Sequence, residues 1–306
     1  MATYLKVEAA DWLKEKTGAE VKRCLLNDVH RPVVLRGWLD SWTVARAWSP
    51  VEISRRLGEI CSTFKACPRR GTDAFRLRFG KKEAVVFETQ CEYVQATFSH
   101  FAEWLGRAEI ATTAEHEEGR EEEREVGREN LAGGSENTGT DIATKEGSSA
   151  SLDCPQPKRK RLEAHPSAQA DPHSNPLLLF PPSTYWVYAD YKYMCQLCPD
   201  RPEMMEAVDW SVFGFDGRGG GDSTLWVGSD GACTPCHFDT YGCNLVAQLW
   251  GKKQWLLFPP SESCRLHPTR VPYEESSVFS EVNVSCPDLE QFPDFASATG
   301  HQVKVM

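Results

Sequence analysis

The chain has 306 residues, is 41% hydrophobic with ten tryptophans, and carries a net charge of −10. That length holds one large or two modest domains, and the apolar content supports a buried core. The acidic balance argues against a nucleic-acid-binding surface, and no apolar run reaches the ~18 residues of a membrane span, so the expected partners exclude nucleic acid and membrane.

The N-terminal sequence MATYLKVEAADWLKEK lacks the apolar core of a signal peptide. Twelve cysteines are scattered along the chain, which in a reducing compartment means free thiols. The expected location is therefore cytoplasmic, with nuclear entry depending on a basic run described below. Cys195-x-x-Cys198 with Cys233-x-x-Cys236 has the outline of a four-thiolate zinc site. The gap between the pairs is longer than in compact zinc ribbons, and Cys236 would have to turn away from His237, so free thiols remain the expectation.

Residues 1–110 read as folded. Val7 to Lys16 is predicted as a short amphipathic helix, and Arg31 to Gly37 as a short strand with Trp38 and Trp42 adding core mass. Ser49-Pro50-Val51-Glu52 is a capping box with proline at the first helical position, followed by Ile53, Leu57 and Ile60 on one face. Phe75–Phe79 and Ala84–Phe87 around Gly80-Lys81-Lys82 predict a hairpin. Phe98, Phe101, Trp104 and Leu105 predict a core-facing helix.

Residues 111–175 contain no Phe, Trp or Tyr, and Glu115–Glu129 is dominated by glutamate. Such a segment buries too little apolar area to offset its ordering entropy and is expected to be a disordered acidic, then basic linker. Pro157-Lys158-Arg159-Lys160-Arg161 within it is either an import signal or a solvated charge run. Order is expected to resume from 176 to 306.

The chemistry concentrates between Ser223 and Pro260. His237 and Asp239 are two apart, so on a strand both side chains leave one face. An imidazole and a carboxylate arranged this way suit a divalent metal with open positions. Asn244 to Trp250 predicts a further strand. Gly242 would reset its alternation so that Asn244, Val246 and Gln248 face the interior. The Gly217–Gly221 run lacks the context and lysine of a phosphate loop.

Thr234-Pro235, His237-x-Asp239, Asn244, Ala247-Gln248, Gly251, Lys253 and Leu257-Phe258-Pro259-Pro260 together resemble the JmjC group of iron(II)- and 2-oxoglutarate-dependent oxygenases. The resemblance continues through Tyr273-Glu274-Glu275-Ser276-Ser277 and Phe292-Pro293-Asp294-Phe295. It is similar to the branch that includes the asparaginyl hydroxylase acting on hypoxia-inducible factor. The resemblance implies a mainly β fold with flanking helices (α+β), a cupin-like double-stranded β-helix whose first half lies in residues 1–110. It implies iron(II) held by His237 and Asp239. It also implies 2-oxoglutarate held by Thr234 and Lys253, with Asn244 and Tyr188 as further pocket residues.

The third ligand of that family, a histidine, is expected beyond Met306, which makes the β-helix C-terminally incomplete. His267 and His301 do not match its position. The resemblance thus implies a protein hydroxylase or demethylase that is weak or inactive in this form. The alternative is a non-catalytic interaction protein, and the implied partner is a protein substrate or a small heat-shock protein.

Overall fold

The computed structural model describes residues 2–42, 45–107, 174–240, 242–272 and 277–306. The expected linker over 111–175, with its basic run, lies outside them except for Ser174 and Asn175; so does Tyr273–Ser276. The strands of the described residues are β1 (Thr3–Lys6), β2 (Cys61–Pro68), β3 (Glu92–Thr97), β4 (Tyr185–Tyr193) and β5 (Thr224–Gly228). The series continues with β6 (His237–Asp239), β7 (Lys253–Leu257), β8 (Pro268–Thr269), β9 (Ser277–Ser280) and β10 (Thr299–Val305). They form three sheets, ordered β1-β10-β7, β3-β2-β4-β5 and β6-β9-β8. All pairings are antiparallel except β1 with β10. The described residues up to 107 and from 175 onward belong to one compact unit.

Period-two alternation divides the β3-β2-β4-β5 sheet into two faces. Phe64, Ala66, Ala96, Val187 and Ala189 point into the principal hydrophobic cluster. Helices α1 (Gly18–Arg23), α2 (Pro50–Leu57) and α4 (98–107) supply Val21, Ile53, Leu57, Phe101 and Trp104 to that cluster. On the other face Cys67, Trp186 and Tyr188 gather with Val86 and Cys91. In register, Lys65 faces Tyr188 and Cys67 faces Trp186. The second face carries the polar and reactive groups, because the first has been given to the core.

Local signals explain most helix ends. Ser49 accepts from the Glu52 amide at 3.2 Å with Pro50 opening α2, as the sequence predicts, but the Glu52 carboxylate pairs with Arg55 and Arg56 and does not complete the predicted capping box. Asn175 opens the 3₁₀ turn Pro176–Leu179: its Oδ1 accepts from the Leu177 amide at 3.0 Å. Its Nδ2 donates to the His100 carbonyl at 2.8 Å and to Glu103 at 2.9 Å, which ties the turn to α4.

Four expectations need correction. Val7–Lys16 is not a helix. Only a 3₁₀ turn forms at Asp11–Leu13, because the Thr17–Glu20 capping box starts α1 later, at Gly18. The predicted hairpin after Phe75 is instead helix α3 (Asp73–Phe79), capped by Thr72 and stopped at Gly80 with φ +81°. Phe75 and Phe79, four residues apart, stack at 4.8 Å on its face. Arg31–Gly37 contributes only a bridge from Val34 to Ala9.

Asn244–Trp250 forms no ladder among the described residues, although burial alternates from Asn244 to Ala247 and Gln248 is half-buried like its neighbours. Leu245, Ala247 and Leu249 pack on the core, whereas Asn244 and Val246 are exposed. The inward face is thus opposite to the predicted one. An extended segment without a hydrogen-bonding neighbour keeps its pleat but earns no strand assignment.

Candidate functional site

β6 is short and is positioned by β9, with His237 opposite Phe279 and Asp239 opposite Ser277. The His237 ring lies on the Phe279 ring at 5.3 Å. Its Nδ1 is 2.8 Å from the Pro235 carbonyl oxygen, which can only accept. The ring's Nδ1–H thus points at that oxygen, and in the neutral imidazole this leaves the Nε2 lone pair free. Nε2 sits 3.7 Å from Asp239 Oδ1, too far for a hydrogen bond.

Asp239 is oriented in turn. Asn244 Nδ2 donates to its Oδ2 at 2.8 Å and Ser277 Oγ to its Oδ1 at 3.4 Å. A divalent cation at this place would find two electron-pair donors held by outer hydrogen bonds. Among the described residues no third His, Cys, Asp or Glu completes a metal-binding group. His267 instead packs its ring on Phe292 at 4.8 Å, and His301 lies in β10 between Leu5 and Leu257.

The second group centres on Lys253, the first residue of β7. Its ammonium donates to the Tyr188 hydroxyl at 3.3 Å and lies 4.4 Å from the Trp255 ring, with the Trp226 and Tyr188 rings at 5.7 and 5.9 Å. No acidic side chain pairs with it among the described residues, and burial lowers its pKa below the ordinary lysine value. Burial likewise raises the Tyr188 pKa, assisted by the Asp190 charge, so its hydroxyl stays protonated. A half-buried cation without a counter-ion, beside a neutral hydroxyl, is what a carboxylate ligand requires.

Gly228 makes room for this arrangement: a Cβ there would come within 2.8 Å of the Tyr188 ring. Behind Tyr188, Lys65 is 2% exposed and paired with Asp190 and, at 3.0 Å, with Glu88. Burial opposes its charge, but the two carboxylates outweigh burial and hold its pKa above the usual lysine value. Lys65 is thus already neutralised and Lys253 is the cation left for a ligand.

The structure brings His237, Asp239 and Asn244 together, and separately Lys253 with Tyr188. Thr234 stands on the wall of a cavity of about 440 Å³ with Lys65, Cys67, Cys91 and Cys236. Phe279, Trp226, Trp255 and the Lys65 network were not singled out from the sequence, and Ser277 only as part of the resemblance, without a site role. Trp255 had a legible signal, two residues from Lys253 on the same strand face; the places of Ser277 and Phe279 beside Asp239 and His237 depend on strand pairing. The cysteines of the suggested zinc site do not assemble: Cys198 is buried and bonded to the Met194 carbonyl, and Cys195 is exposed.

Comparison with known proteins agrees with this architecture. The chain is 40% identical to HSPB1-associated protein 1 homolog of Danio rerio over 230 residues, 74% of this chain and 38% of that protein. It is 55% identical to HSPB1-associated protein 1 of Homo sapiens over 130 residues, 42% of this chain and 27% of that protein. A more distant similarity, 33% over 110 residues, is to lysine-specific demethylase 8 of Danio rerio, covering 34% of this chain and 26% of that protein. The chain therefore spans well under half the length of these relatives. The model of the cupin-like domain matches residues 19–306. With that match lying over the sheets that carry His237, Asp239 and Lys253, the chain belongs to the cupin-like, JmjC-type domain family.

Proposed function

We propose that this domain binds 2-oxoglutarate and a divalent metal, and belongs to a protein hydroxylase or demethylase. The observation that carries the reading is Lys253, a half-buried cation without an acidic partner among the described residues, enclosed by Trp226, Trp255 and Tyr188. In this reading Lys253 and the Tyr188 hydroxyl receive the distal carboxylate of 2-oxoglutarate. His237 Nε2 and Asp239 Oδ1 hold iron(II), with Asn244 and the Pro235 carbonyl keeping both donors oriented. When bound, iron(II) with 2-oxoglutarate supplies oxygen activation for C–H hydroxylation. The three rings exclude water from the Lys253 ammonium, which strengthens its attraction for a carboxylate. Thr234, on the cavity wall, is assigned a lesser part.

Two facing donors predict weak metal binding by this chain. Calorimetric titration with manganese(II), an oxygen-inert substitute for iron(II), in the presence of 2-oxoglutarate tests the reading. Saturable binding that disappears in His237→Ala and Asp239→Ala is expected; heat unchanged by either substitution would overturn it.

A second reading is supported by the names of the relatives, which denote association with HSPB1. In that reading the domain is a non-catalytic partner of a small heat-shock protein. Pull-down with a small heat-shock protein that is equally strong in His237→Ala and Lys253→Ala, combined with no manganese or 2-oxoglutarate binding, would favour it.

A further inference from the structure

The second face of β2 carries a pair of thiols. Ala66 faces Glu92 at the end of the β2–β3 ladder, so the next position sets Cys67 opposite Cys91. Cys91 is extended, with φ −78° and ψ 160°, and continues the strand direction. Directly opposed residues bring their Cα atoms to about 4.5–5.5 Å, within the roughly 4.4–6.8 Å that a disulfide spans. The two residues gather in one cluster with Trp186 and Tyr188, and both cysteines are free. Both line the cavity of about 440 Å³, and Cys91 is the more accessible, Cys67 being 1% exposed.

We propose that Cys67 and Cys91 form a redox dithiol in which Cys91 reacts with hydrogen peroxide and Cys67 resolves the product to a disulfide. Exposure distributes the roles: Cys91 is half-buried and Cys67 fully buried. The neighbouring Cys67 thiol and, against burial, the Lys65 charge hold the Cys91 pKa below the ordinary cysteine value. The neighbouring Cys91 and burial raise that of Cys67. The thiolate is the nucleophile, and a buried neutral thiol is suited to the second step.

In the first step Cys91 Sγ attacks one peroxide oxygen and the O–O bond breaks. The departing hydroxide takes the proton released by Cys91, leaving a sulfenic acid and one water. Cys67 Sγ then attacks the sulfenic sulfur; the S–O bond breaks and hydroxide leaves with the Cys67 proton as a second water. Two electrons pass from the sulfurs to the peroxide, and β2 becomes covalently joined to the start of β3 beside Lys65.

The test uses the wild-type chain exposed to an equivalent of hydrogen peroxide, then denatured, alkylated, digested and mapped by mass spectrometry. The expected result is a Cys67–Cys91 linked peptide appearing before any other oxidation product. In Cys67→Ser, dimedone present during oxidation should label Cys91; in Cys91→Ser, Cys67 should stay unmodified. First oxidation at exposed Cys61, Cys195 or Cys243, with Cys67 and Cys91 still reduced, would overturn the proposal. A Cys91–Cys233 link would overturn the resolving role of Cys67. The wild-type map decides the matter even where a variant fails to fold.

Discussion

Lys253 and Lys65 are both withdrawn from water, yet their surroundings give them opposite tasks. Lys65 is neutralised by Asp190 and Glu88, so its loss strands a buried carboxylate. Lys65→Ala is expected to cost about 3–5 kcal/mol of stability in urea unfolding; a loss below about 1 kcal/mol would show the network to be solvated. Lys253 has no such partner, so Lys253→Ala is expected to leave unfolding nearly unchanged while weakening 2-oxoglutarate binding roughly 10–100-fold. Its pKa lies below the usual value, and only the charged form attracts a carboxylate. Affinity should therefore fall as pH rises through that lowered pKa, with proton uptake on binding. Calorimetry in buffers of different ionisation heat measures this, and pH-independent affinity would remove Lys253 from the site. Gly228→Ala places a methyl group against the Tyr188 ring; it should reduce the same affinity without touching a charge.

Among the elements, the turn at Pro176–Leu179 shows how much rests on one side chain. Asn175 caps the turn and bonds two points of α4, while Trp104 Nε1 donates to the Phe180 carbonyl at 2.7 Å. Asn175→Ala should destabilise the chain by about 1–3 kcal/mol, as lost cap and lost buried bonds combine. Asn175→Asp should recover only the cap, since it returns the acceptor but places a carboxylate against the His100 carbonyl and Glu103. Equal stability of the three proteins would mean that the turn is held by Leu177 packing alone. The α3 segment makes a related point. Its Phe75/Phe79 pair and Thr72 cap were present in the sequence, but Gly80-Lys81-Lys82 suggested a hairpin because a glycine ends a helix and starts a turn equally well.

Across the molecule, residues before 108 and after 173 share sheets rather than standing as separate domains. β2 pairs with β3 on one side and β4 on the other, and β1 runs parallel to β10. A chain cut at a protease site inserted within 108–173 should therefore run as one complex on gel filtration and separate only in denaturant. Separation in native buffer would mean that these ladders do not hold without the covalent link. The same layout divides the sheet into a core face and a site face, and the cavity, the thiol pair and Tyr188 all fall on the latter.

The fold family and the shared strand of His237 and Asp239 were legible because their signals are local: the two share a strand face by spacing alone, and Ser49 caps its helix by neighbours three residues away. What the sequence could not place was anything dependent on which strands meet. The inward face of Asn244–Trp250 was assigned the wrong way round, since alternation fixes two faces without saying which meets the core. Nothing local to Lys65 names its partner, and only the pairing of β2 with β4 sets Asp190 against it. Cys67 and Cys91 are 24 positions apart in a row of twelve scattered cysteines, and only antiparallel register makes them neighbours. Spacing along the chain determined which groups point the same way; long-range pairing decided what they point at.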